Sequence, residues 1–156
     1  MDLIIGFGLF AILLVIGGVF GRLAEKRHYT SIIAREGQLR GVLVFNESRP
    51  SADLEQRGGQ LVVGSVVLAE DYFKRLAAGL KSLFGGRLTA YESLVDRGRR
   101  EAILRMKHEA ERLGARMVFN VRLQTSTLTD PATNPKALFS AEFIAYGTAL
   151  LPQPRR

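Results

Sequence analysis

Between Leu3 and Gly21 the chain reads LIIGFGLFAILLVIGGVFG, nineteen residues without a charged or strongly polar side chain. As a helix rising about 1.5 Å per residue, the run covers about 28 Å, close to the hydrocarbon thickness of a bilayer. A core helix of a water-soluble domain normally keeps a polar stripe, and none is present here. A cleaved signal peptide wants a basic start and small residues at its cleavage site. Asp2 is the only charged side chain ahead of the run, and Val19-Phe20-Gly21-Arg22 is a poor site. The expectation is a membrane anchor over residues 1–21.

The flanks give the anchor a direction. Arg22, Lys26, Arg27 and His28 follow the run, against Asp2 before it. The excess of positive charge after the span places the N-terminus outside and the remainder in the cytoplasm, at the inner membrane. The chain has no cysteine, so no disulfide framework is available, which fits that side. Gly17 and Gly21 form a G-x-x-x-G pattern that lets helix backbones approach closely in lipid, a candidate surface for helix association. Glycine is also common in membrane helices generally.

After the anchor 135 residues remain, enough for one domain with its own core. The formal net charge is +7, and Asp2 is the only charged residue before Arg22, so the remainder is more basic still. A basic domain held at a cytoplasmic leaflet is drawn to anionic headgroups. Nucleic-acid binding would want basic residues interleaved with exposed aromatics or a reading motif. Here the arginines are dispersed, many beside acidic neighbours, and tryptophan is absent, so no nucleic-acid partner is expected.

Residues 22–38 mix charges with Leu23, Ile32 and Ile33 and read as a helical continuation of the span, a juxtamembrane helix or linker fraying near Gly37. Strand formers follow at Val42-Leu43-Val44-Phe45, ended by a polar loop at Asn46-Glu47-Ser48-Arg49-Pro50. Residues 61–69, LVVGSVVLA, read as a second strand. Asp71 is a plausible N-cap for a helix whose apolar face is Phe73, Leu76, Ala77, Leu80, Leu83 and Phe84, stopped by Gly85-Gly86. The longest helical signal runs from Glu92 to Leu113, with Val95, Ala102, Ile103, Met106, Ala110 and Leu113 as its apolar stripe. Its charged residues take the other side, and Glu101–Arg105 and His108–Arg112 stand four apart. Gly98 costs about 1 kcal/mol against alanine in a helix interior and marks close packing with a neighbour. Gly114 caps the end.

Residues 117–128 read as a strand with Met117, Phe119, Val121 and Leu123 on one face. After a proline-bearing loop at 129–136, residues 137–151 read as a final strand. Phe139, Ala141, Phe143 and Ala145 alternate there with Ser140, Glu142, Ile144 and Tyr146, and Gly147 relieves a bend or close contact. The order implies an α+β domain over residues 39–151, one main helix on a largely antiparallel sheet, followed by a basic tail at 152–156.

Four ordered motifs carry a resemblance: Gly85-Gly86-Arg87-x-x-x-Tyr91-Glu92, Arg99, Ala110-x-x-Leu113-Gly114-Ala115, and Tyr146-Gly147-Thr148-Ala149. Over about residues 60–150 the chain resembles the YbjQ-like family, which carries a heavy-metal-binding label, in a form preceded by a membrane anchor. The resemblance implies a small dodecin-like subunit and assembly of copies into a ring, usually a pentamer. Residues 1–40 lie outside it. Two departures stand out: Arg116-Met117-Val118-Phe119-Asn120 replaces a run of smaller residues, and the helix opening at Asp71 is about one turn longer.

The metal label finds little support in these residues. Soft metals select thiolates, and zinc or copper sites need several converging Cys or His ligands. Only His28 and His108 are present, with Met1 terminal and Met106 and Met117 reading as core. His108 and His28 are weak candidates alone, although a ring could bring His108 side chains together about an axis. No nucleophile motif, Walker motif or dinucleotide motif appears, so neither catalysis nor a cofactor is expected. Arg99 is the charged family-matched position to single out, either as an anion contact inside the assembly or as a salt bridge. Gly98, Gly17 and Gly21 are the candidate assembly contacts. The function expected is a membrane-anchored, ring-forming scaffold or binding protein; the alternative is a metal- or small-ligand module with a site shared between subunits. No protein partner beyond copies of the chain is indicated.

Overall fold

The computed structural model describes residues 2–51, 58–69, 89–129 and 139–152. Its first element is one unbroken helix, α1, over Asp2–Gln38. No proline interrupts the sequence at Gly21-Arg22, and Leu23, Ala24, Glu25 and Lys26 are good helix formers, so nothing stops the apolar run from continuing as a charged helix. At about 1.5 Å per residue its 37 residues extend about 55 Å. Ile5, Leu9, Phe10, Ile12, Val15 and Phe20 stand exposed on its upper half. The helix is long and apolar enough to cross a membrane. A 3₁₀ turn over Leu39–Gly41 ends it and buries Leu39.

Four strands follow: β1 (Leu43–Val44), β2 (Gly59–Ala69), β3 (Met117–Thr129) and β4 (Ser140–Leu150), with α2 (Thr89–Arg112) between β2 and β3. They form one sheet in the order β1-β3-β4-β2. The antiparallel expectation holds for β2, β4 and β3, while β1 lies parallel to β3, Leu43 opposite Met117. The sheet is therefore mixed. Between β1 and β3 the chain passes through β2 and α2, a crossover long enough for parallel pairing. The helix read at residues 71–84, its Gly85-Gly86 stop and most of the 129–136 loop lie outside the described residues, as do residues 153–156.

On β4 the expected alternation is present: Ala141, Phe143, Ala145 and Ala149 are buried and point to α2. On β3 it is not. Phe119 pairs with Thr148 and Arg122 with Tyr146, so β3 carries one extra residue there. Asn120 occupies the left-handed region at φ 52°, which a short amide side chain tolerates. The bulge resets the pattern, so Val118 and Val121 both approach β4 from the core side. A Cβ on Gly147 would lie 2.8 Å from Val118 Cγ1 and 3.0 Å from Val121 Cγ2, which is why a glycine stands there. Phe119 leaves the face predicted for it and stacks on Phe45, ring centroids 4.7 Å apart.

The helix α2 packs on the core face of β2 and β4, around Val62, Val66, Met106 and Phe143. Two glycines make the approach close. A Cβ on Gly64 of β2 would run into the Ala102 carbonyl and the Met106 nitrogen, and one on Gly98 of α2 would sit in the Phe143 ring, 2.7 Å from Cγ. The helix closes with a Schellman turn: Gly114, at φ 71°, donates to Glu111 O at 2.9 Å, and Ala115 donates to Ala110 O at 3.0 Å. The result is an α+β, two-layer unit with one face of the sheet covered by α2.

Candidate functional site

Polar side chains concentrate where the lower half of α1 lies along α2. Tyr29 Oη donates to Asp96 Oδ2 at 3.1 Å. Glu36 accepts a fork of bonds from Arg100, Nε at 2.8 Å and Nη2 at 2.7 Å, and the Arg100 guanidinium stands 5.8 Å from the Tyr29 ring centre. Arg35 grips Glu101 with both nitrogens, Nη1 at 3.0 Å from Oε1 and Nη2 on Oε2. Arg105 Nε adds a third bond to Glu101 at 3.1 Å. Beneath the charges Ile32, Leu39 and Leu104 form a small apolar cluster separate from the main core. Residues 29, 36 and 39 of the α1 segment thus meet 96, 100 and 104 of α2 in ascending order, so the two helices run in the same direction.

Glu101 is the electrostatic centre of this joint. It is only 5% exposed, yet the Arg35 and Arg105 bonds hold its carboxyl below the usual carboxylate range against the opposing effect of burial. Arg100 does the same for Glu36. His28 is half-buried beside them, with Nε2 4.0 Å from Glu101 Oε2. Its Nδ1 is shut away from solvent and bonds to no described residue. Burial, with Arg97 second, pushes the imidazole below its ordinary value of 6.5.

The other residues singled out in the sequence are dispersed. Gly98 is buried inside the subunit, and the neighbour it admits is the chain's own Phe143. Arg99 is exposed on α2. His108 is exposed, with Nδ1 3.7 Å from Glu111 Oε2. Gly17 and Gly21 fall one turn apart on α1, ahead of the segment that meets α2. The Glu101–Arg105 neighbours do pair as their spacing implied.

A second feature is the sheet face that α2 leaves open. Leu61, Val63 and Val67 of β2 are exposed there, next to Ile144 and Tyr146 of β4, with Gln124 Nε2 donating to Tyr146 Oη at 3.3 Å. The free edge of β2 is partly closed by α2: Val63 N–H donates to Glu109 Oε2 at 2.6 Å, and Arg105 Nη1 donates to Ser65 O at 2.7 Å.

Known proteins match this fold unit. The sequence pattern of the YbjQ family, described as "Putative heavy-metal-binding", matches residues 50–152. A UPF0145 protein of Hahella chejuensis is 38% identical over 111 residues, 70% of this chain and 98% of the relative. One of Acinetobacter baylyi is 38% identical over 94 residues, 60% of this chain and 80% of the relative. The chain belongs to the YbjQ family. A crystal structure of a protein from Pediococcus pentosaceus aligns at a TM-score of 0.44 and 17% identity, covering 71% of this chain and 97% of that one. The family match begins after α1, so the joint is built between a segment outside the matched region and a helix inside it.

The family's description calls for a test of these residues against a metal. Among the described residues no three His, Cys, Asp or Glu side chains converge. His28 is the nearest to a ligand by its free nitrogen, but Arg35, Arg97 and Arg105 surround it with positive charge, the wrong field for a cation. The described residues of a single subunit do not fit the group.

The joint is invisible in the sequence for a simple reason. Its partners are separated by 64 to 67 residues, and no local periodicity links them. Residues 22–38 mix acid and base on a helix, a pattern that by itself reads as a solvated surface.

Proposed function

We propose that this chain is a membrane-anchored YbjQ-family protein whose domains assemble with one another beneath the bilayer as a binding or scaffolding platform. The observation that carries it is α1: one helix, bare and apolar above and fastened to α2 by charged bonds below. A helix with that upper half is unfavourable in water, since each exposed Leu, Ile, Val or Phe forgoes roughly 1.5–3 kcal/mol of burial. In a bilayer the same surface is at home, with the N-terminus outside and Arg22, Lys26 and Arg27 at the cytoplasmic headgroups. The open sheet face with Leu61, Val63 and Val67 supplies a surface for a second copy, and a ring would set several anchors in parallel, making attachment multivalent.

The alternative is a metal- or small-ligand module, favoured by the family's description, with the site formed between subunits, where exposed His108 or Arg99 would meet their counterparts. One experiment separates the two. Native mass spectra of the full chain, released from detergent micelles and purified without chelator, report subunit number and retained mass together. A ring without extra mass supports the scaffold, and a stoichiometric metal or organic mass supports the shared site. A monomer overturns both. Fractionation of cells expressing the chain with and without residues 2–21 tests the anchor: the full chain belongs in the membrane pellet, and its recovery from the soluble fraction would sink the membrane reading.

A further inference from the structure

The joint contains one side chain that its surroundings do not complete. A neutral imidazole carries a single N–H, and Glu101 Oε2 stands 4.0 Å from His28 Nε2, beyond hydrogen-bond reach. Nδ1 is buried and unpartnered among the described residues. Protonation puts an N–H on both nitrogens, one of them facing no acceptor. It also adds a charge among Arg35 on α1 and Arg97 and Arg105 on α2, with Glu101 the nearby carboxylate. That carboxylate is already taken by Arg35 and Arg105. Other charged and titratable groups of the joint are committed elsewhere: Tyr29 to Asp96, Glu36 to Arg100, and Asp96 also to Arg100 at 3.6 Å. Glu25 also has a partner of its own.

We propose that His28 is an acid-sensitive latch between the anchor helix and the domain: neutral, it lets the lower half of α1 lie on α2; protonated, it drives the two helices apart. The device needs only this helix contact, so it stands independently of the bilayer and of any ring. The direction follows from linkage. Burial and Arg97 hold the docked His28 below 6.5, so the undocked form binds the proton more readily. Docking is then complete above 6.5 and weakens as pH falls toward the docked value. Glu101 and Glu36 are held below 4.5 by Arg35 and Arg100 and stay ionised throughout that window, which isolates His28 as the group that responds. Each unit by which its value is held down multiplies the open-to-closed ratio at acid pH by about ten.

The chain has no native cysteine, so spin labels can be placed cleanly at two exposed sites, Ala34→Cys on α1 and Arg112→Cys on α2. In the full chain, pulsed dipolar spectroscopy should give one narrow distance at about pH 7.5 and a second, longer population at about pH 5.5. His28→Gln, which cannot take the proton, should keep the narrow distance at both. His28→Lys, charged throughout, should show the open population already at the higher pH. A single unchanged distance in the parent chain at the lower pH would overturn the latch. So would opening that persists in His28→Gln, because the response would then belong to another group.

Discussion

Against the sheet α2 presents Gly98, Ala102, Met106 and Ala110; against α1 it presents Asp96, Arg100, Glu101 and Leu104. The first face is small and apolar, and it approaches so closely that Cβ atoms are excluded at Gly64 and Gly98. The second is held by ion pairs over a thin apolar floor of Ile32, Leu39 and Leu104. Steric packing of the first kind is short-ranged and indifferent to pH or salt. Charge pairing of the second kind changes with both. One helix therefore carries a permanent contact on one side and an adjustable one on the other. The family-matched unit owns the permanent contact, and the segment outside it brings the adjustable one.

The permanent contact is most vulnerable at its glycines. Gly64→Ala sets a methyl against backbone atoms of α2, which cannot rotate away, and Arg105 Cβ at 2.9 Å closes the remaining side. Overpacking of this kind costs about 3 kcal/mol or more, enough to unfold a domain of this size or lower its melting temperature by many degrees. Gly98→Ala meets the Phe143 ring instead, which can tilt, so the loss should be smaller than at Gly64 but still more than about 1 kcal/mol. Thermal unfolding followed by circular dichroism checks both. Parent-like melting of Gly64→Ala would show that the helix is not pressed on the sheet as described.

The joint offers a gentler and asymmetric test. Glu101 is nearly buried, whereas the side chains of Arg35 and Arg105 are 35% and 52% exposed. Arg35→Met leaves a carboxylate shielded from water with one guanidinium in place of two, and should weaken docking by about 3 kcal/mol. Glu101→Gln leaves two arginines that can reach solvent, and should cost about 1.5 kcal/mol. Replacing the pair together, Arg35→Met with Glu101→Leu, should cost less than Arg35→Met alone. Hydrogen exchange of residues 28–41 reads docking directly. Equal effects of the two single changes would mean that burial of Glu101 does not govern the joint.

Much of the sheet-side architecture is legible in the amino-acid sequence. Periodicity places β2, α2 and β4 because each buries one face, and Gly98 announces a close contact by breaking helix propensity, although its partner is Phe143 of the same chain. Gly147 announces another correctly. The bulge at Asn120 is not legible, since an alternating sequence does not say where a strand gains a residue. Nor is the parallel β1, two residues long and set by what precedes and follows it. The joint lies furthest from reach. A charged helix surface reads as solvated, and only the fold brings Glu36 to Arg100 and Arg35 to Glu101.

The weakest response belongs to the outer of the joint's two ion pairs. Glu36 and Arg100 are 40% and 30% exposed, so their forked bond is a surface interaction worth about 0.5–1 kcal/mol and open to screening. Arg100→Lys should lose part of even that, because an ammonium cannot make the paired bonds of a guanidinium. Raising the salt from about 0.05 M to about 0.5 M should erase the difference between Arg100→Lys and the parent, measured as exchange in residues 28–41. The same salt step should leave most of the Arg35→Met deficit in place, because Glu101 is shielded from the ions. Acid acts on both pairs in one direction: Arg35 and Arg100 hold Glu101 and Glu36 below 4.5, so their contribution is whole above that value and lost as pH falls through the depressed ones. Salt therefore separates what pH does not. If the Arg35→Met deficit faded with salt as fast as that of Arg100→Lys, both pairs would be surface pairs, and the joint would have no buried centre.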